Sequence, residues 1–143
     1  VKCKNVGNDC VDLSGSFSQV NTIDAININD KVLSVGESSS IDVKKIKAVD
    51  SEIGIVSKDS SNLNVESYVF SSIKLPLAAF IKKPEMGPPT VNILRTNAPL
   101  TKTSLIAKDA NVFISGKRVN SDLSSKEISD KLYGNLFGVK TSR

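Results

Sequence analysis

Histidine and tryptophan are absent from this 143-residue chain, and aromatic residues make up only 5% of it. Without histidine there is no Ser-His-Asp or Cys-His nucleophile system and no imidazole metal ligand. The two cysteines, Cys3 and Cys10, are not placed like a zinc-ligand pair, and no glycine-rich phosphate loop is present. No apolar run approaches membrane-spanning length, and no signal-peptide pattern stands at Val1. The chain has no initiator Met and reads as a processed product or a piece of something longer.

A strong charge bias is also lacking. The net charge is +4 and the pI about 9.1. Lysine is spread along the chain, densest at Lys44-Lys45-Ile46-Lys47 and Lys82-Lys83, without interleaved aromatics. No nucleic-acid partner is therefore expected, while a weak attraction to anionic polymers, acidic polysaccharide included, remains reasonable. A Cys3–Cys10 bridge would close so short a loop that it adds little stability. Cys3 falls near an inward position of the repeat described next, which favours a small apolar core residue and leaves the bridge open.

What the chain does have is Val, Ile and Leu in short alternating runs broken by Ser and Asn, a pattern of short strands with polar turns. The runs repeat. Residues 33–43 match residues 55–65 in kind at an offset of 22. Stepping back from Leu33 by the same offset reaches Val11, and stepping forward from Ile55 reaches Leu77. A fifth copy begins at Leu105, 28 residues on, and its surplus of six is assigned to the Pro-rich stretch 82–90. Alternation puts the apolar side chains on one face of each strand. One coil cannot bury that face alone, but stacked coils can.

The expected fold is all-β, a right-handed parallel β-helix of about five coils over residues 1–120, with a helical cap and tail over 121–143. Val11, Leu33, Ile55, Leu77 and Leu105 should form one internal ladder, and Ile41, Leu63, Val91 and Val112 a second. Ser124 and Glu127 have capping-box spacing, Ile128 and Leu132 helical spacing, and Gly134 can end the helix. That helix is expected over the open last coil. The first coil shows no matching cap, which points to a larger functional unit: the rest of a longer chain, or a homo-oligomer covering the N-terminal coil.

The segments around 7–16, 33–39, 53–61 and 78–85 resemble right-handed β-helix repeat proteins of the pectate-lyase-like superfamily. They look most like repeat segments of large bacterial envelope or secreted proteins, sometimes attached to a spore-coat-kinase-like domain. The resemblance covers roughly residues 7–117 and implies fold well and function poorly, because that architecture carries lyases, hydrolases, epimerases, tailspikes and adhesins.

Stacking would place Gly15, Glu37 and Asp59 at equivalent positions, with Lys58 beside Asp59 and Lys82 and Lys83 nearby. Lyases of the resembled family bind Ca²⁺ through carboxylates on neighbouring coils and use a basic residue to abstract a sugar proton. The resemblance thus implies Asp9 and Asp12 as Ca²⁺ ligands, joined by Glu37 and Asp59, with Lys58, Lys82 or Arg95 as base. Glu37, Lys58 and Asp59 are the catalytic candidates, against a reading in which Glu37 and Asp59 are turn residues bonded to backbone amides. The Pro-rich stretch must leave the period as a projecting loop, making Lys82, Lys83 and Glu85 the candidate substrate contacts.

Three functions follow. The incomplete acid–base set favours a non-catalytic cell-envelope or secreted solenoid that binds or displays towards polysaccharide or protein, with no cofactor. The alternatives are the C-terminal part of a polysaccharide lyase or hydrolase and a phage tailspike segment.

Overall fold

The computed structural model describes residues 1–100 and 103–134 of the chain. They form a parallel β-solenoid of about five coils followed by one short helix. The strands are β1 (Lys2–Val6), β2 (Val11–Ser14), β3 (Phe17–Ile28), β4 (Lys31–Gly36), β5 (Ser40–Lys58), β6 (Asn62–Phe80), β7 (Thr90–Thr96), β8 (Leu105–Ile106), β9 (Asn111–Ile114) and β10 (Lys117–Arg118), and the helix is α1 (Ser125–Leu132). Every strand pair is parallel except β9–β10.

The long strands bend, and their burial shows where. In β5, alternation runs through Ile41 and Val43, breaks at the consecutive exposed pair Lys44-Lys45, and resumes at Ile46 and Ala48. Two exposed residues in a row mark a corner, since a straight strand would turn the second one inward. The neighbouring coils break at Asn21-Thr22 and Leu94-Arg95. A second corner is a column of left-handed residues, Asn5, Asn27, Asp50 and Ser72, with φ near +50 to +57°. In it Asn27 Nδ2 donates to Asn5 Oδ1 at 2.8 Å. A third is the column of Gly15, Glu37-Ser38 and Asp59-Ser60, also at positive φ. Asn, Asp and Gly tolerate this conformation best.

These corners divide each coil into three walls. The first carries residues 40–44 and 62–66, the second 45–49 and 67–71, the third 53–58 and 75–80. Register follows the repeat: Val11 lies on Leu33, Leu33 on Ile55, and Ile55 on Leu77. The second ladder, Ile41, Leu63, Val91 and Val112, holds throughout. The fifth member of the first does not. Leu105 lies on Ala78 and Ile106 on Ala79. The Pro-rich stretch adds six residues to the offset, which holds from Asn62–Thr90 through Tyr68–Thr96, but the chain from Thr96 to Leu105 is one residue shorter than from Tyr68 to Ala78, so the third-wall register slips by one and inverts the side-chain faces.

The helix also sits elsewhere than expected. α1 lies against β6, with Ile128 and Leu132 fully buried, and the Ile81 N–H donates to Ser125 Oγ. Tyr133 at its end reaches Phe80, Lys58 and Lys31, which belong to three successive coils. The helix therefore runs back along the third wall instead of closing the last coil. Its capping box is formed, and it ends at Tyr133, one residue before Gly134. The third wall accordingly buries both faces: all six residues of β4 and all of Leu75–Phe80 are buried. The last coil is finished by β10, which folds back on β9 through a two-residue turn with Ser115 and Gly116 at positive φ. Of the C-terminal region assigned to a cap and tail, residues 135–143 lie outside the described residues.

Cys3 and Cys10 are joined in a disulfide. The free, buried reading of Cys3 is thereby corrected: β1 is in the outermost coil, both cysteines are only partly buried, and their chain segments face each other across that coil.

Candidate functional site

The corner between the third and first walls gathers most of the residues singled out by the repeat. Asp59 is 1% exposed, and its Oδ1 accepts the N–H groups of Lys82 and Lys83 at 2.8 and 2.9 Å. Its carboxylate thus anchors the Pro-rich stretch, as a turn residue bonded to backbone amides. Its Oδ2 is buried without a hydrogen-bond partner among the described residues. The stretch does not project. Ser60 N–H donates to the Gly87 carbonyl and Gly87 N–H donates to Ser60 Oγ, so the loop is laid over the preceding turn. Backbone donors and acceptors left by the insertion are satisfied this way.

Glu37 is exposed and pairs with Lys83 Nζ. That contact lowers the Glu37 carboxyl below its ordinary range and raises the Lys83 ammonium. Glu85 is exposed on the same loop. Arg95 is exposed on β7, at the corner between the first and second walls, remote in register from the Lys58 group.

Lys58 lies beside Tyr133, its Nζ donating to the phenol oxygen at 3.3 Å. Lys82 Nζ stands 4.3 Å from the Tyr133 ring centre, and Lys31 and Lys58 Nζ are both at 5.9 Å. Burial, then the nearby Lys31 charge, pulls the Lys58 pKa down, and burial pushes Tyr133 up. Next to them is a cavity of about 370 Å³ lined by Asn8, Asp9, Asp12, Asp30, Lys31, Ser34 and Lys58. Lys31 is 3% exposed and held by buried Asp30 at 3.1 Å, with Asp9 at 3.8 Å. Burial raises the Asp9 pKa, opposed by Lys31. Asp9 Oδ1 also accepts the Lys31 N–H, and Asp12 is exposed. Among the described residues no three His, Cys, Asp or Glu side chains converge to hold a metal ion. Chemically the arrangement offers a partly buried amine and a phenol at the mouth of a small polar cavity. Tyr133 escaped the sequence reading because the helix carries it to Lys31 and Lys58 over a distance no repeat spacing reveals, and Asp30 and Lys31 because nothing in the repeat marks a buried ion pair.

A second surface was also missed. Along the outer face of the first wall, Gln19, Asp42, Asn64 and Asn92 stack in one column. Asn64 Nδ2 donates to Asp42 Oδ1 at 2.9 Å. Beside this column stand the corner residues Asn21, Lys44, Glu66 and Leu94, and together they line a shallow groove of about 610 Å³. Phe17 lies at the first-coil end of this wall, 82% exposed, and Phe113 continues the column beyond Asn92. The signal available was the 22-residue spacing of Asp42 and Asn64.

Comparison with known proteins finds no matching family model, no similar curated protein and no similar solved structure. What stands of the resemblance to pectate-lyase-like proteins is the parallel solenoid architecture itself.

Proposed function

We propose that this chain is a non-catalytic β-solenoid module that binds or displays towards polysaccharide, with the outer face of the first wall as its contact surface. The observation that carries this is the column of Gln19, Asp42, Asn64 and Asn92, which repeats amide and carboxylate groups at the coil spacing of about 4.8 Å. A rigid periodic row of side chains that both donate and accept suits an extended chain of hydroxyl groups, and exposed Phe17 adds an apolar platform for a sugar ring. A secreted or cell-envelope setting belongs to the same proposal, supported by the Cys3–Cys10 disulfide.

A second reading, a polysaccharide lyase or hydrolase, draws on the Lys58–Tyr133 pair, where a depressed amine could serve as a base. Affinity electrophoresis against a panel of soluble polysaccharides tests both. Retardation that disappears in Asn64→Ala/Asn92→Ala is expected. Absence of retardation by every polysaccharide overturns the binding reading, and release of reducing ends or unsaturated products that stops in Lys58→Ala replaces it with the enzymatic one.

A further inference from the structure

The cations that look scattered in the chain are collected by the fold. On the outer face of the second wall, Thr22, Lys45, Ser67 and Arg95 stack in one column. Lys2, Asp24, Lys47 and Val69 form the next, and Lys4 lies on Ile26 beside them. Lys44 stands at the corner where this wall meets the groove. Lys2, Lys4, Lys44, Lys45, Lys47 and Arg95 are all exposed, and none forms an ion pair among the described residues. Four lysines elsewhere are ion-paired: Lys31 with Asp30, Lys74 with Glu52, Lys83 with Glu37 and Lys126 with Asp130. Against the six cations this face and its two corners set Asp24, Glu66 and Asp50, an excess of three.

We infer that the second wall is a docking face for a linear polyanion, and that the polysaccharide proposed for the adjoining groove is an acidic one bearing carboxylates. Neighbouring cations are separated by about two coils or two strand residues, roughly 7–10 Å, comparable to the screening length of about 8 Å at physiological salt. They act as one field. The wall meets the groove at the Lys44-Lys45 corner, so one extended chain lying along that corner can place hydroxyls against Asn64 and Asn92 and acid groups against Lys44 and Lys45, with Lys47 adding to the same field. No aromatic side chain stands in these second-wall columns to stack a base, which favours a glycan over a nucleic acid.

This inference rests on the polysaccharide reading, and affinity electrophoresis of the intact protein with two forms of one polymer separates them: a polyuronate, and the same chain with its carboxyls esterified. The polyuronate should retard the protein roughly tenfold more strongly, an advantage lost as salt rises from about 0.05 M to about 1 M. Lys45→Glu/Lys47→Glu, both at exposed positions and checked for unchanged far-UV circular dichroism, should abolish that advantage and leave the esterified chain bound as before. Equal retardation by both polymers, unaltered in the lysine variant, overturns the acidic assignment while the glycan module stands. Polyuronate binding that needs the lysines but ignores Asn64→Ala/Asn92→Ala upholds the cationic face and removes the groove. Binding of neither polymer removes both. A single-stranded DNA of equal charge that binds more tightly through the same lysines overturns the assignment in favour of nucleic acid.

Discussion

At the scale of single residues, the interior is tuned by a few positions where the backbone comes close. The Tyr68 hydroxyl is buried and donates to the Pro76 carbonyl at 2.8 Å. A Cβ at Gly54 would lie 1.9 Å from that hydroxyl and 2.5 Å from the carbonyl. Gly54→Ala should therefore cost about 3 kcal/mol through overpacking, and Tyr68→Phe about 1–2 kcal/mol through the unsatisfied carbonyl. In the double variant the clash with the hydroxyl is gone, so urea denaturation should show a cost smaller than the two added together. Serines make the corners self-sufficient: Ser39 Oγ donates to the Gly36 carbonyl and accepts the Ser16 N–H, and Ser51 Oγ bridges the Val49 carbonyl and the Ile28 N–H in the same way.

Lys58 carries a pH signature. Its folded pKa lies below the unfolded value of 10.5, so the unfolded chain binds more protons between the two, and stability rises with pH across that window. Relative to Lys58→Met, the wild-type protein should gain stability as pH rises towards the ordinary lysine value of 10.5. A stability difference independent of pH would contradict the burial of this amine. Tyr133 is raised instead, so its opposite contribution enters only above its ordinary value of 10.0.

At the scale of elements, α1 is a wall cover. Eight residues make a helix of about 12 Å, enough to cross two to three coils, and too short to be stable alone. Its stability comes from Ile128 and Leu132 beneath it and from Tyr133 at its end. Leu132→Ala should cost about 2–4 kcal/mol, whereas Ser124→Ala, which removes half of the capping box, should cost about 1 kcal/mol. Hydrogen exchange should show the Leu132 variant losing protection in α1 and along Leu75–Phe80 while the first wall keeps it. Equal loss everywhere would mean that the helix is integral to the stack. β10 deals with the other exposed element, the edge of β9, by occupying it with a hairpin return.

At the scale of the whole molecule, a solenoid is nearly one-dimensional, and each coil draws stability from its neighbours. Ile55 is fully buried between Leu33 and Leu77, while Val11 is half-buried in the first coil with Leu33 on one side only. Ile55→Ala should cost about 3–4 kcal/mol and Val11→Ala about 1 kcal/mol, read from denaturation midpoints. The Cys3–Cys10 disulfide clamps that first coil. Chain-entropy arguments for so short a loop give about 2 kcal/mol. Reduction should release exchange protection in β1 and β2 and leave β5 and β6 protected; uniform loss would show cooperativity along the entire stack.

Much of the fold was legible because a coil repeat writes itself directly into spacing. Leu63 lies on Val91 and Val91 on Val112 because each must fill the same slot in the column. The capping box of α1 is a contact between Ser124 and Glu127, and local spacing specifies it. The slip at Leu105 was not legible, since it comes from one residue fewer between Thr96 and Leu105 than in the preceding coil, a change the six-residue insertion upstream conceals. Nor was the fate of the Pro-rich stretch, which depends on Asp59 being within reach of the Lys82 and Lys83 amides. The unalternating run Leu75–Phe80 did carry a signal, because a strand apolar on both sides must be covered on both.

The sequence by itself determined the parallel stack, its approximate coil number, the ladders from Val11 to Leu77 and from Ile41 to Val112, and the terminal helix, since each rests on periodic burial or a contact a few residues long. Only the tertiary structure decided where that helix lies, that Cys3 meets Cys10, and that Tyr133 ends among Lys31, Lys58 and Lys82. It also decided that Lys2, Lys4, Lys45 and Lys47, with Arg95, share one wall. The physical reason is the same in each case: these features depend on which wall a residue occupies and what is laid over it, and a repeat fixes the spacing between coils without saying what covers their outer faces.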